Sequence, residues 1–318
     1  MRTAHFYPGL RYRSSPMDQR ILSSRAAATR FSPASRLLGR DVRRLCASKT
    51  LFRSTEECFV TTLAAEVTVA EDHLRQGDGP DILLASSFGH YAALVMARSL
   101  DYLDALKLAG KNGRLIDRHF AGQHSYLVNG LEREQLAFLA ARLPWAGAVI
   151  NYSDGMSITA HRSAASIIRK MVANLGGNIT SIPLRLNYHT VLMRQVEQLT
   201  WPNFAQARFR QPSIPFLSTA CGRFINRGEE LGNAMRTSLS TRNMMEEAVR
   251  LMMRLEIKTV VHMETRGHSA KAFGQGRKKP AVSGGTACGQ RQTQRPDPPA
   301  QIAPEEIPGE IPIAHRTS

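Results

Sequence analysis

The sequence predicts an α/β fold: a large domain built on a parallel sheet, interrupted by a small inserted α+β subdomain. Two observations carry that expectation. Asp81-Ile82-Leu83-Leu84-Ala85 is a short apolar run bounded by Gly79, Pro80 and a serine pair, which reads as a buried strand leading into a helix over residues 91–97 rich in Ala, Leu, Val and Met. Residues 123–186 then change pattern to short strands separated by two helices, enough to cover one face of a small sheet.

Taken in order, His5-Phe6-Tyr7-Pro8-Gly9 reads as a first strand and its turn. The Arg- and Ser-rich, acid-poor composition of residues 1–40 also fits an organelle transit peptide, so that alternative stands beside it. After the helix at 91–97, Asp101 caps a second helix whose Tyr102, Ala105, Leu106 and Ala109 share one face, with Gly110 and Gly113 flanking its end. The inset comprises strands at 125–128, 148–150, 156–159 and 182–186 and helices at 132–142 and 164–175. A helix at 191–199, a strand at 214–217, a Met-rich helix at 244–255 and a closing strand at 259–263 follow. The expected division is a core of 1–121 and 188–275, an insertion of 122–187, and a disordered tail of 276–318 rich in Gly, Pro, Gln and Lys.

Composition narrows the function. At 318 residues, 42% hydrophobic and 21% charged, most of the chain can bury a core. The 42 Lys and Arg against 26 Asp and Glu leave a net charge of +16, which favours acidic partners. Zinc-finger spacing, aromatic-glycine RNA motifs and a clean basic helix are all missing from the sequence, so nucleic acid is not the expected partner. Cys46, Cys58, Cys221 and Cys288 show no C-x-x-C spacing, which points to neither metal nor disulfides and favours a reducing cytoplasm. No run reaches the 18 or so apolar residues of a membrane span, so no membrane association is expected.

The chemistry centres on Ala85-Ser86-Ser87-Phe88-Gly89 between strand and helix, the context in which a G-x-S-x-G turn holds a serine nucleophile. Small residues are needed two before and two after the serine because backbone passes close there. Ser87 meets that requirement, whereas Ser86 would place Phe88 at the tight position.

The longer string Ser87-Phe88-Gly89-His90-Tyr91-Ala92-Ala93-Leu94-Val95, with Phe6-Tyr7-Pro8-Gly9 before it and Tyr188-His189-Thr190-Val191-Leu192-Met193 after it, resembles the malonyl-CoA:acyl-carrier-protein transacylase family of fatty-acid and polyketide synthesis. The resemblance runs from Phe6 to about Phe273. It implies an α/β-hydrolase-like large domain with an inserted ferredoxin-like subdomain. It implies Ser87 as nucleophile, His189 as base, the Thr241 carbonyl holding the His189 ring, and the backbone N–H groups of Phe88 and Leu10 as oxyanion donors. No metal and no cofactor beyond a coenzyme A thioester substrate are implied, and the expected partners are acyl-CoA and an acidic acyl carrier protein.

Several family side chains are replaced. Ser86 stands for a histidine, His90 for a glutamate or glutamine, Leu10-Arg11-Tyr12-Arg13 for Q-G-S-Q, and Glu264-Thr265-Arg266-Gly267-His268 for E-V-G-P-G. Asn112 occupies the position at which malonyl-type members carry the arginine that pairs with the malonyl carboxylate, with Lys111, Arg114 and Arg185 as basic candidates to replace it. Three functions follow as expectations: an acyltransferase loading a carrier protein, an acyl hydrolase clearing one, and a catalytically impaired relative kept for binding.

Overall fold

The computed structural model describes residues 2–10, 16–48, 52–151, 155–182, 188–263 and 270–272, all within the single unit Met1–Gln275. The chain begins with β1 (Thr3–Tyr7), α1 (Gln19–Leu22), α2 (Arg25–Leu38), α3 (Val42–Ala47) and α4 (Thr55–Arg75). It continues with β2 (Ile82–Ala85), α5 (His90–Met96) and α6 (Tyr102–His119). Then come β3 (Gln123–Asn129), α7 (Arg133–Ala141), β4 (Gly147–Asn151), β5 (Gly155–His161), α8 (Ala165–Asn174) and β6 (Asn178–Ile182). The last elements are α9 (Arg194–Gln206), β7 (Phe216–Ser218), β8 (Arg223–Ile225), α10 (Gly228–Thr237), α11 (Met245–Arg254), β9 (Thr259–His262) and β10 (Ala270–Ala272).

The larger sheet has the order β10-β9-β1-β2-β7-β8. Its middle strands are parallel, and β8 and β10 close the edges antiparallel. Parallel strands buried on both faces read as continuous apolar runs, and Ile82-Leu83-Leu84-Ala85 is buried throughout. Tyr7 pairs with Ala85, so the chain leaving β1 runs beside the serine turn leaving β2. Because β1 lies inside this sheet and Phe31 and Ala34 of α2 are buried in the main core, β1 and α2 are part of the fold.

The smaller sheet has the order β4-β5-β3-β6 and is antiparallel throughout. Leu136 and Leu139 of α7 and Ile168 and Val172 of α8 pack with Tyr126, Val128, Met156 and Ile158 into a separate core. Ser125 and Thr159, pointing the other way, hydrogen-bond to each other at 2.6 Å.

The structure corrects several expectations. The strand expected at 182–186 lies earlier, in β6; residues 183–187 are outside the described ones. β6 is a largely exposed edge strand with a polar Asn-Ile-Thr-Ser-Ile sequence and so lacks the apolar alternation that marks a half-buried strand. Gly110 and Gly113 do not end their helix, because α6 runs through both to His119. A Cβ on Gly113 would lie 2.6 Å from the Glu56 Cα, so this glycine serves the close crossing of α4 and α6. The helix expected at 191–199 opens with a single 3-10 turn and then extends as α9 to Gln206. β9 is not the closing strand, since β10 pairs outside it.

Helices α1 to α4 and α10 and strands β8 and β10 were not expected from the sequence. In α4 the apolar stripe is masked because Glu57, Glu66, Asp72 and His73 are buried along with the apolar residues. Two of these carboxylates have guanidinium partners: Glu57 pairs with Arg40, and Asp72 lies 2.9 Å from Arg20. The expected tail, 276–318, lies outside the described residues.

Candidate active site

β2 ends at Ala85, and the chain turns through Ser86 and Ser87 into α5. Ser87 has φ +50° and His189 has φ +65°, both in the left-handed region that a side chain with a Cβ enters at a cost of roughly 1–3 kcal/mol. The turn is tight because β1 passes under it. A Cβ on Gly89 would lie 2.2 Å from the Tyr7 carbonyl oxygen, so only glycine fits there.

His189 reaches the turn from the other side. Its backbone N–H donates to the Leu239 carbonyl at 2.8 Å, its Nδ1 lies 3.1 Å from the Thr241 carbonyl, and its Nε2 lies 2.9 Å from Ser87 Oγ. A carbonyl can only accept, so Nδ1 carries the proton and Nε2 accepts from the serine hydroxyl. Burial pushes the ring below its usual 6.5, while the Thr241 and Ser238 carbonyls act the other way. The ring is therefore neutral near pH 7 and able to take a proton.

The pair faces a narrow pocket lined by Leu10, Phe59, Phe88, Tyr91, Asn112, Tyr188, Met235 and Leu239, with His90 and Ser238 beside them. Phe88 stacks on Tyr91 at 4.8 Å between centroids, and Phe59 lies 4.4 Å from Phe88. Leu10 and Phe88, the residues expected to offer oxyanion N–H groups, both line the pocket.

Asn112, 2% exposed, is satisfied from both sides. Its Nδ2 donates to the Tyr91 hydroxyl at 3.0 Å and its Oδ1 accepts from Asn203 Nδ2 at 2.9 Å. Of the basic residues considered as replacements for an arginine here, Lys111 is exposed and Arg114 is paired with Glu56. Neither lines the pocket, and Arg185 lies outside the described residues.

The sequence marks His90 only as a replaced motif residue and assigns Ser218, Asn243 and Phe59 no place in this site. His90 stands inside the serine motif and its type alone was a signal. The other three reach the site only through tertiary contacts: Asn243 Nδ2 donates to Ser86 Oγ at 2.9 Å, and Ser218 Oγ lies 2.7 Å from His90 Nε2.

Fold and geometry together define an α/β protein that presents a serine on a strained strand-to-helix turn, paired with a histidine from a distant segment, beside an apolar pocket. No family model matches the chain. It is 24% identical over 220 residues to malonyl CoA-acyl carrier protein transacylase of Bacillus subtilis, covering 66% of this chain and 55% of that protein. It is 28% identical over 177 residues to orsellinic acid synthase of Emericella nidulans, covering 54% of this chain and 8% of the synthase. The chain thus spans about half the length of one curated relative and a small part of the other. The crystal structure of an acyl carrier protein S-malonyltransferase from Vibrio cholerae superposes with a TM-score of 0.68 at 21% identity, over 83% of this chain and 90% of that one. The chain is thus similar in sequence to a malonyl-CoA:acyl-carrier-protein transacylase and shares the fold of the solved ones.

Proposed function

We propose that the protein is an acyltransferase that moves an acyl group from a coenzyme A thioester to an acyl carrier protein in fatty-acid or polyketide synthesis, by way of an acyl ester on Ser87. The observation that carries this reading is the oriented pair itself: Ser87 Oγ 2.9 Å from His189 Nε2, with the far ring nitrogen 3.1 Å from the Thr241 carbonyl. The backbone carbonyl fixes the tautomer, so no acidic third member is required.

In this mechanism His189 Nε2 takes the hydroxyl proton as Ser87 Oγ attacks the thioester carbonyl. The backbone N–H groups of Phe88 and Leu10 stabilise the oxyanion. Collapse breaks the C–S bond, and the proton on His189 passes to the departing thiolate. The carrier's thiol then gives its proton to His189 and attacks the ester, which frees the Ser87 hydroxyl. The elements from β3 to β6 make up a ferredoxin-like insertion in an α/β-hydrolase-like core, a reading supported by their β-α-β-β-α-β order and antiparallel sheet.

The acyl group accepted is neutral. A malonyl carboxylate in this pocket would meet Asn112, whose amide is already committed to Tyr91 and Asn203. Leaving such a charge unpaired costs at least about 3 kcal/mol, so neutral acyl groups are expected to be favoured by roughly a hundredfold. The test is acylation of the purified protein by acetyl-, hexanoyl- and malonyl-CoA, with the Ser87 peptide read by mass spectrometry before and after a carrier thiol is added. Acetyl or hexanoyl on Ser87 that moves to the carrier supports the proposal. Loss to water at the same rate with and without carrier makes the protein a hydrolase, and an unlabelled Ser87 makes it a binding protein.

A further inference from the structure

At the position where the transacylases it resembles carry glutamate or glutamine, this chain has a buried histidine, His90. Its two ring nitrogens are both engaged. Nδ1 lies 2.6 Å from the Ser87 carbonyl oxygen and Nε2 lies 2.7 Å from Ser218 Oγ. The carbonyl can only accept, which places the ring proton on Nδ1 and leaves Nε2 to accept from the Ser218 hydroxyl. Ser218 Oγ in turn accepts from the Ala220 N–H at 3.1 Å. Ser218 is fully buried at the end of β7, the neighbour of β2 in the sheet.

We propose that His90 is a positioning residue, a strut between β7 and the carbonyl of Ser87 that holds Ser87 at its left-handed φ and so keeps Oγ on the line to His189. This rests on Ser87 being the nucleophile. Ser87 cannot relax towards an ordinary φ without moving the carbonyl that Nδ1 holds, and the ring cannot follow because Ser218 holds its other end.

The test measures the labelling rate of Ser87 by a fluorophosphonate probe together with the melting temperature. It uses the full chain and its His90→Leu, His90→Asn and Ser218→Ala variants. Asparagine places an amide N–H near the position of Nδ1, whereas leucine supplies none. Misplacing a reacting atom by about 1 Å costs up to roughly a hundredfold, so His90→Leu should slow labelling by about 10- to 100-fold. His90→Asn should recover most of that rate, and Ser218→Ala should fall between. Labelling of His90→Leu at the unmodified rate overturns the proposal. So does equal slowing in the leucine and asparagine variants in step with equal losses of melting temperature, which would mark a merely structural role. Nitrogen-15 spectra of the unmodified protein supply an independent readout, with the proton expected on His90 Nδ1; a proton on Nε2 alone overturns the strut. If the unmodified protein takes no label, the nucleophile reading fails, and the tautomer alone then decides the role of His90.

Discussion

Ser87 and His189 both occupy left-handed backbone positions; the His189 N–H donates to the distant Leu239 carbonyl, and beside Ser87 the Ser86 N–H donates to the Tyr7 carbonyl. Replacing Ser87 by alanine should abolish acylation by acyl-CoA, and His189→Ala should slow it by roughly 10²–10⁴-fold, the usual worth of a positioned general base, in a stopped acylation assay. Buried histidines also set how the protein meets acid. Burial holds His90 at about 4, and burial with the neighbouring His73 holds His5 at about 4. Between pH 6.5 and 4 the unfolded chain binds protons that the folded one does not. The stability from these two rings is therefore fully present above pH 6.5 and is lost as the pH falls towards 4, on the order of 3 kcal/mol each. Urea titrations from pH 7 to 4.5 should show that decline, and His90→Asn should flatten it.

Helix α4 runs through the main core, and its start is held by its own N-cap and by α6. Asp117 of α6 accepts from the Thr55 backbone N–H at 2.8 Å and from its hydroxyl at 2.6 Å, while Ser54 Oγ accepts from the Glu57 N–H at 3.0 Å. These bonds satisfy N–H groups that a helix start leaves open. Next to them Gly113 lets α6 touch the first turn of α4. Alanine in an ordinary helix gains up to about 1 kcal/mol over glycine, but here its Cβ would sit 2.6 Å from the Glu56 Cα, a backbone atom that cannot swing aside. Overpacking should win, so Gly113→Ala is expected to lose about 1–3 kcal/mol in denaturant titration. A gain would show that the crossing is looser than this.

Across the whole molecule, 42 basic residues face 26 acidic ones. Long-range attraction of that size raises association rates for acidic partners and fades as salt shortens its reach to about 10 Å at 0.1 M. If the acceptor is an acidic carrier protein, raising salt from low to moderate concentration should increase the carrier's apparent KM several-fold while leaving kcat near its starting value. Transfer to free pantetheine, a neutral thiol, is the control, and it should change little. Equal salt effects on both acceptors would rule out electrostatic recruitment of the carrier.

Ser87 was legible in the sequence because its requirements are local: an apolar strand, small residues two before and two after, and a helix directly beyond. The two-sheet organisation was legible for the same reason, since strand and helix periodicities are written over five to fifteen residues. His189 and Thr241 were reached chiefly through similarity of motif, because the contacts that set them apart are made between distant segments. The rest was decided only by folding. Whether Asn112 faces solvent or the floor of a pocket, and whether His90 is a lost carboxylate or a strut to Ser218, depends on contacts between segments tens to more than a hundred residues apart. Helix α4 stayed hidden because it carries buried charged residues, two of which, Asp72 and Glu57, pair with Arg20 and Arg40 from elsewhere in the chain. A charged side chain reads as exposed until its partner is in place, and only the tertiary structure brings that partner within reach.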